Sequence, residues 1–183
     1  MNDEEQRIER TRAVATVLFP EEKWFQTESR IWVAKSRIAE KLKEQDKWKR
    51  EMAQARILTD RGSVAFFLPD EQGAKTGERC ADVVLDGSVM ELKTVTGTRV
   101  TLGTDFKKAY KQGKALIQKH AEISGHSVFI WLLTDLTVDS VRAKIAGELK
   151  ERHDSGVFKC FFEILGKLYS WNYNELRAII GRK

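Results

Sequence analysis

Apart from the Asp86-Gly87 pair, three charged residues stand in the largely apolar segment ADVVLDGSVMELKTV (81–95): Asp82, Glu91 and Lys93. The Asp86-Gly87 pair inside it is typical of a two-residue type I′ hairpin turn. Counting back from that turn places Asp82 opposite Glu91. Because side chains alternate along a strand with period two, Lys93 lies on the same face as Glu91. The opposite face is apolar and suits a protein core.

This arrangement predicts a cation site. Two carboxylates on directly opposed strand positions lie about 5 Å apart and repel each other unless a positive charge compensates them. Oxygen ligands of this kind suit a hard divalent ion, Mg²⁺ or Mn²⁺. Lys93 would then orient a water molecule or stabilise charge that develops on a phosphate. The alternative interpretation is an exposed hairpin face on which Lys93 only partly neutralises Asp82 and Glu91.

The elements that must position these residues follow from periodicity and turn signals. Apolar residues recur at helical spacing up to about Asp60, which predicts a helical N-terminal region. The elements expected after it are a strand over Ser63–Pro69, hairpin strands over Cys80–Leu85 and Ser88–Val95, a helix over Thr104–Ile123 and a buried strand in SVFIWLLTD (127–135).

The C-terminal part continues the mixed pattern. We expect a helix over Val138–Arg152, two strands around Gly166-Lys167, and a final helix in NELRAII (174–180). The fold class predicted is therefore α/β with a mixed sheet: an αβββαβ core, a helical N-terminal extension over 1–47 and an αββα C-terminal appendage within 48–183. The length of 183 residues suits one compact domain.

The chain resembles the PD-(D/E)XK nuclease superfamily from Trp48 to Asp135. The resemblance rests on Asp82, eight intervening residues and Glu91-Leu92-Lys93, placed on the second and third strands of the αβββαβ pattern. It implies a restriction-endonuclease-like core. More narrowly, EMAQARILTDRGSVAFFLP (51–69), ELKT (91–94) and YKQGKALI (110–117) look like the nuclease domains of contact-dependent growth-inhibition toxins, many of which cleave tRNA.

The resemblance implies a role for each matching residue. Asp82 and Glu91 would be metal ligands, and Lys93 would be the catalytic lysine. Glu51, in the helix before the first strand, matches a position where the superfamily often has a further acid, although it could be an ordinary solvent-facing glutamate. Gln112 matches a position where some members have a glutamine that orients substrate or water, although it could equally be a surface residue.

Two details of the metal site remain open at this stage. The main-chain carbonyl of Leu92 is a candidate for one more ligand. The literal dipeptide Pro69-Asp70 also precedes Glu91 at a permissible spacing. Asp70 is expected in a loop after the first strand, whereas Asp82 is the residue placed opposite Glu91, so Asp82 is preferred.

A basic helix follows the motif and would track a phosphate backbone. Lys107, Lys108 and Lys111 are its candidate substrate contacts, and Thr96 is a further candidate for binding phosphate. The alternative is a solubilising helix face. The net charge of +5 is compatible with a polyanionic partner but does not establish one.

Composition limits the remaining possibilities. Cys80 and Cys160 lack the spacing of a zinc site, and we expect buried free thiols in a reducing compartment. The charged N-terminus is unlike a signal peptide, and the longest uncharged apolar run is too short to span a bilayer, so a cytoplasmic protein without membrane contact is expected. The sequence leaves the oligomeric state open.

The function that these observations predict is metal-dependent hydrolysis of phosphodiester bonds in nucleic acid. The toxin-like resemblance favours RNA, with tRNA as a specific expectation and a cognate immunity protein as a possible partner. Two alternatives stand beside it. One is a DNA endonuclease of a restriction, phage or mobile-element system, and the other is a catalytically silent nucleic-acid-binding module of the same fold.

Overall fold

A computed structural model describes residues 2–40, 45–69, 81–150 and 158–180. Their helices are α1 (Asp3–Leu18), α2 (Lys35–Glu40), α3 (Gln45–Thr59), α4 (Arg99–Lys119), α5 (Val138–Glu148) and α6 (Tyr173–Ile180). The strands are β1 (Trp24–Glu28), β2 (Ile31–Ala34), β3 (Ala65–Phe67), β4 (Val83–Leu85), β5 (Ser88–Val95), β6 (His126–Leu132), β7 (Phe158–Ile164) and β8 (Lys167–Asn172).

All eight strands form one mixed sheet whose spatial order is the order along the chain. The pairs β2–β3, β5–β6 and β6–β7 are parallel, and the other neighbouring pairs are antiparallel. The predicted mixed α/β class is therefore confirmed. From α3 to β6 the elements follow one another in the predicted order αβββαβ, and α5, β7, β8 and α6 follow in the predicted αββα order.

The sheet is covered on both faces, which explains its apolar strands. Met52, Ala55 and Leu58 of α3 pack on one face, against residues such as Phe67 and Leu92. The other face is covered by α1 at the β3–β4 end and by α4, α5 and α6 over β6, β7 and β8. Strand β6 is apolar from Val128 onward and is largely buried between these layers, in line with the buried strand that the sequence predicted.

The prediction of an all-helical N-terminal extension is wrong between residues 24 and 34. This segment forms the antiparallel pair β1–β2, and β2 continues the sheet by pairing in parallel with β3. The spacing of Ile31 and Ala34 fits one helical turn, but Ile31, Trp32, Val33 and Ala34 are all buried. Such a short run with apolar residues at every position cannot be distinguished from a helix by periodicity.

Smaller differences affect element ends. Helix α4 begins five residues earlier than expected, at Arg99. The β7–β8 turn is formed by Leu165-Gly166, with φ of 51° and 79°, rather than by Gly166-Lys167.

Cys160 is a buried free thiol, as expected, whereas Cys80 lies outside the described residues. Among the described residues, no helix is long and apolar enough to cross a membrane.

Candidate active site

The β4–β5 hairpin has the register that the sequence predicted. Val83 pairs with Met90, Val84 with Val89 and Leu85 with Ser88. Asp86 and Gly87 have φ of 49° and 87°, the left-handed conformation that both central residues of a type I′ turn require. The turn therefore fixes which residues of the two strands face each other.

Asp82 directly precedes β4 and is held by main-chain hydrogen bonds. Its N–H donates to the Met90 carbonyl (3.1 Å), and its Oδ2 accepts the Leu92 N–H (2.7 Å). The pairing thus departs from the regular ladder at this point, because a carboxylate oxygen takes a main-chain donor of β5. This hydrogen bond fixes the Asp82 carboxylate beside Glu91-Leu92-Lys93.

Glu91 is 2 % exposed, which is exceptional for a carboxylate. Its Oε2 is 3.0 Å from Lys93 Nζ, and its Oε1 is buried with no hydrogen-bond partner. Burial, and then the negative charge of Asp82, raise the pKa of Glu91 to about 8, although Lys93 partly opposes the shift. The site therefore contains a carboxylate that lacks sufficient positive charge around it.

Among the described residues, the ammonium of Lys93 is the positive charge nearest to the Glu91 carboxylate. Burial acts to lower the pKa of Lys93, but the charges of Glu91 and Asp82 outweigh it, so the pKa is raised. Lys93 is therefore an ammonium group at neutral pH and can donate hydrogen bonds, but it is not a proton acceptor.

Glu51 on α3 is buried and lies next to this pair. Arg37 Nη2 is 2.6 Å from its Oε2, and Lys47 Nζ is 3.9 Å from its Oε1. Burial raises the pKa of Glu51, and the charge of Arg37 opposes that effect without cancelling it. Coordination of an ion by Glu51, as the resemblance implies, would compete with the Arg37 ion pair.

These side chains line one cleft of about 190 Å³, formed where α2, α3 and α4 meet the β4–β5 pair. Gln112 of α4 also lines it, so the structure brings together all five residues expected to carry the chemistry. Leu92 lines the cleft as well. The other candidate residue, Asp70, lies outside the described residues.

The sequence did not identify Arg37 and Gln54 as part of this site. The Arg37 Nη1 donates to the carbonyls of Leu68 (2.7 Å) and Asp82 (3.0 Å), and the guanidinium lies over the Trp48 and Phe67 rings. No sequence pattern connects position 37 with these partners, because they are brought together only by the sheet.

Gln54 of α3 holds the main chain of β5 next to the site. This buried amide donates from Nε2 to the carbonyls of Lys93 (3.0 Å) and Phe129 (3.3 Å).

The sequence analysis also did not identify Lys47, although its i,i+4 spacing from Glu51 on a helix is a signal that could have found it.

The predicted substrate contacts lie apart from the cleft lining that the structure describes. Lys107 forms an ion pair with Glu148 of α5 at 2.9 Å, and Lys144 reaches the same carboxylate at 2.6 Å. Lys107 is therefore directed towards α5. Lys108, Lys111 and Thr96 are exposed to solvent, as a phosphate contact requires, but their role stays a prediction.

The donor set fits a divalent cation in one specific way. Within the described ranges, no three His, Cys, Asp or Glu side chains are grouped to hold an ion. Mg²⁺, however, commonly uses only one or two carboxylates and completes its shell with water and substrate phosphates. The buried, unpartnered Glu91 Oε1 beside Asp82 is the atom that such an ion would satisfy, and the Leu92 carbonyl is a candidate further ligand.

Comparisons of the chain with protein-family models, with curated proteins and with solved structures gave no match.

Proposed function

We propose that this protein is a metal-dependent nuclease that hydrolyses phosphodiester bonds at the cleft around Glu91. The observation that carries the proposal is the Glu91 carboxylate, which is buried beside Asp82 and has one oxygen without a hydrogen-bond partner. Such a group costs folding free energy unless something compensates it. A cation that binds during function would provide that compensation.

Asp82 and Glu91 would hold the ion, with the Leu92 carbonyl as a candidate third ligand. A bound Mg²⁺ or Mn²⁺ would supply Lewis-acid stabilisation of the phosphate and would lower the pKa of a coordinated water molecule. The ammonium of Lys93, already paired with Glu91, is placed to donate to a phosphate oxygen as negative charge accumulates there. Its raised pKa argues against a role as general base.

The other cleft residues position these groups. Arg37 binds the Asp82 carbonyl and Glu51 at the same time, and Gln54 binds the carbonyl of Lys93. Gln112 faces the cleft from α4 and is a candidate to orient water or substrate. Glu91, Lys93 and the positioning residues lie on helices or strands, and Asp82 is held by its hydrogen bonds to β5, which keeps the reacting groups in place.

The proposed substrate is RNA, with tRNA as the specific candidate. The choice of RNA rests on the resemblance of segments 51–69, 91–94 and 110–117 to toxin nuclease domains; the cleft itself would serve DNA equally well. A cognate immunity protein belongs to the same proposal.

The test is a cleavage assay on total tRNA and on plasmid DNA, with Mg²⁺, with Mn²⁺ and with chelator. Wild-type protein is compared with Glu91→Gln and with Glu122→Gln, which changes an exposed glutamate and serves as the matched control. The proposal predicts metal-dependent cleavage that Glu91→Gln abolishes and Glu122→Gln retains. Cleavage that survives in chelator, or in Glu91→Gln, would show that the cleft is not the catalytic centre.

A second readout tests metal binding without activity. Mn²⁺ should raise the thermal unfolding temperature of the wild type by mass action, and Asp82→Ala should remove that increase. A silent nucleic-acid-binding module would instead bind nucleic acid in a salt-dependent way that Mn²⁺ does not change.

A further inference from the structure

A second pocket, of about 300 Å³, lies where β6 and β7 end. It is lined by Trp131, Leu133, Thr134, Asp135, Glu163 and Leu165, among others. Leu165 is 82 % exposed, and Leu133 is also exposed. The pocket therefore combines apolar walls and an indole ring with acidic side chains.

Glu163 is the buried polar group of this pocket. The side chain is 8 % exposed, its Oε1 accepts the Gly166 N–H, and its Oε2 is buried without a hydrogen-bond partner. A carboxylate can accept about four hydrogen bonds, so Glu163 has substantial unused acceptor capacity. A ligand with two adjacent N–H donors would satisfy it.

The charge of the pocket restricts its ligand. Glu163 and Asp135 are both acidic, which disfavours a phosphate group at this position. A flat, neutral ring that stacks on an aromatic side chain and donates hydrogen bonds from one edge fits the lining better. Guanine has such an edge, because its N1–H and 2-amino groups are neighbouring donors. Thr134, whose Oγ1 accepts the Leu136 N–H, retains its own hydroxyl proton for the guanine O6.

The pocket lies close in the sheet to the proposed catalytic strand. Trp131 pairs with Thr94, the residue after Lys93, and Glu163 pairs with Trp131. At about 4.8 Å per strand, the Glu163 backbone is about 10 Å from β5, a distance of one or two nucleotides. Strand alternation puts Trp131 and Glu163 on the face opposite Lys93, so a nucleotide would have to leave the stack and pass the end of the sheet.

We propose that this pocket binds a guanine base splayed out of a single-stranded RNA segment next to the scissile phosphate. This inference rests on the proposed nuclease function and gives it a base preference. Glu163 would read the guanine edge, and Trp131 would provide the stacking surface. Bases in loops and single strands are the ones that proteins commonly read in this way.

The experiment measures guanosine binding to metal-free protein by titration calorimetry, so that it does not depend on catalysis. Inosine, which lacks the 2-amino group, should bind about tenfold more weakly, as expected for one lost hydrogen bond to a charged group. Glu163→Gln should bind the two nucleosides equally. Glu163→Asp, with near-UV circular dichroism to check the fold, should also weaken guanosine binding because the carboxylate is withdrawn from the pocket.

Two outcomes would overturn the base assignment. Methylguanidinium has the same paired donors. If it binds as tightly as guanosine, the pocket is one for an arginine side chain of a protein partner. Equal binding of guanosine and inosine to the wild type would show that Glu163 does not read the base.

Cleavage mapping separates this inference from the nuclease proposal. On tRNA, Glu163→Gln should retain metal-dependent cleavage and lose the preference for sites near guanine in single strands. Guanosine binding without any cleavage would support the pocket and overturn the nuclease proposal. Cleavage with no preference for guanine would support the nuclease and overturn the pocket.

Discussion

The Arg37 guanidinium and the Glu51 carboxylate form a buried ion pair, with Nη2 2.6 Å from Oε2, at the cleft that holds Asp82 and Glu91. The pair joins α2 to α3, and through Nη1 it also holds the main chain at Leu68 and Asp82. One side chain therefore links two helices and the two strand ends next to the site.

Loss of Arg37 should be costly. Arg37→Ala leaves the buried Glu51 carboxylate without its closest partner, and removing one member of such a pair costs about 3–5 kcal/mol of unfolding free energy. Urea unfolding of Arg37→Ala, Glu51→Gln and the double variant would measure the coupling. If the two single-variant effects simply add, the ion pair is not a coupled unit.

The Glu91 carboxyl should make the stability of the metal-free protein depend on pH. Its pKa is about 8 in the fold, against 4.5 for an ordinary glutamate, so the folded state binds more protons than the unfolded state between these values. Stability is then full below about pH 4.5 and is lost as pH rises towards 8.

Glu91→Gln removes this titration. In chelator, the unfolding free energy of the variant minus that of wild type should increase from pH 5 to pH 8, on the order of a few kcal/mol at most. Chemical unfolding at both pH values would measure the gain, with Glu122→Gln as the control. A difference between wild type and Glu91→Gln that does not change with pH would contradict the burial of an uncompensated carboxyl.

Gln54 should support the catalytic strand without contacting substrate. Gln54→Met keeps the side-chain volume similar but removes the donor that the Lys93 and Phe129 carbonyls share. We expect a loss of about 1–3 kcal/mol in unfolding free energy. The maximal rate of tRNA cleavage should fall while substrate affinity is unchanged, because the variant alters the position of Lys93 and not the contacts with substrate. A change confined to affinity would argue against this positioning role.

Two helical glycines should respond to alanine in opposite directions. A Cβ at Gly113 of α4 would lie 2.8 Å from His126 Nδ1 and 2.9 Å from its Cβ, so Gly113→Ala forces α4 away from β6. Overpacking of this kind costs about 1–3 kcal/mol, more than the helix propensity gained. A Cβ at Gly147 of α5 would have no neighbour within 4 Å, so Gly147→Ala should stabilise by about 0.5–1 kcal/mol.

Thermal unfolding of both glycine variants measures the difference. Because Gln112 faces the cleft one residue before Gly113, Gly113→Ala should also reduce cleavage, whereas Gly147→Ala should not. Stabilisation by Gly113→Ala would show that α4 can move away from β6 without loss.

The sequence by itself determined the geometry of the hairpin. Asp86-Gly87 admits few turn conformations, and a strand alternates its faces strictly, so local rules were sufficient to place Asp82, Glu91 and Lys93 together. The bounds of β5 followed for the same reason, and so did the presence of a buried strand at β6. Each is defined by the pattern of its own residues.

Only the tertiary structure placed Arg37, Gln54 and Glu163. Arg37 reaches Leu68 and Asp82, 31 and 45 positions away, and Gln54 reaches Phe129 at a separation of 75. Contacts of this range depend on which strands are neighbours, and β2 joins β3 only because residues 31–34, whose spacing predicts a helix, form a strand. The physical reason is that periodicity reports the face a residue presents, whereas the partner on that face is decided by how the whole sheet is assembled.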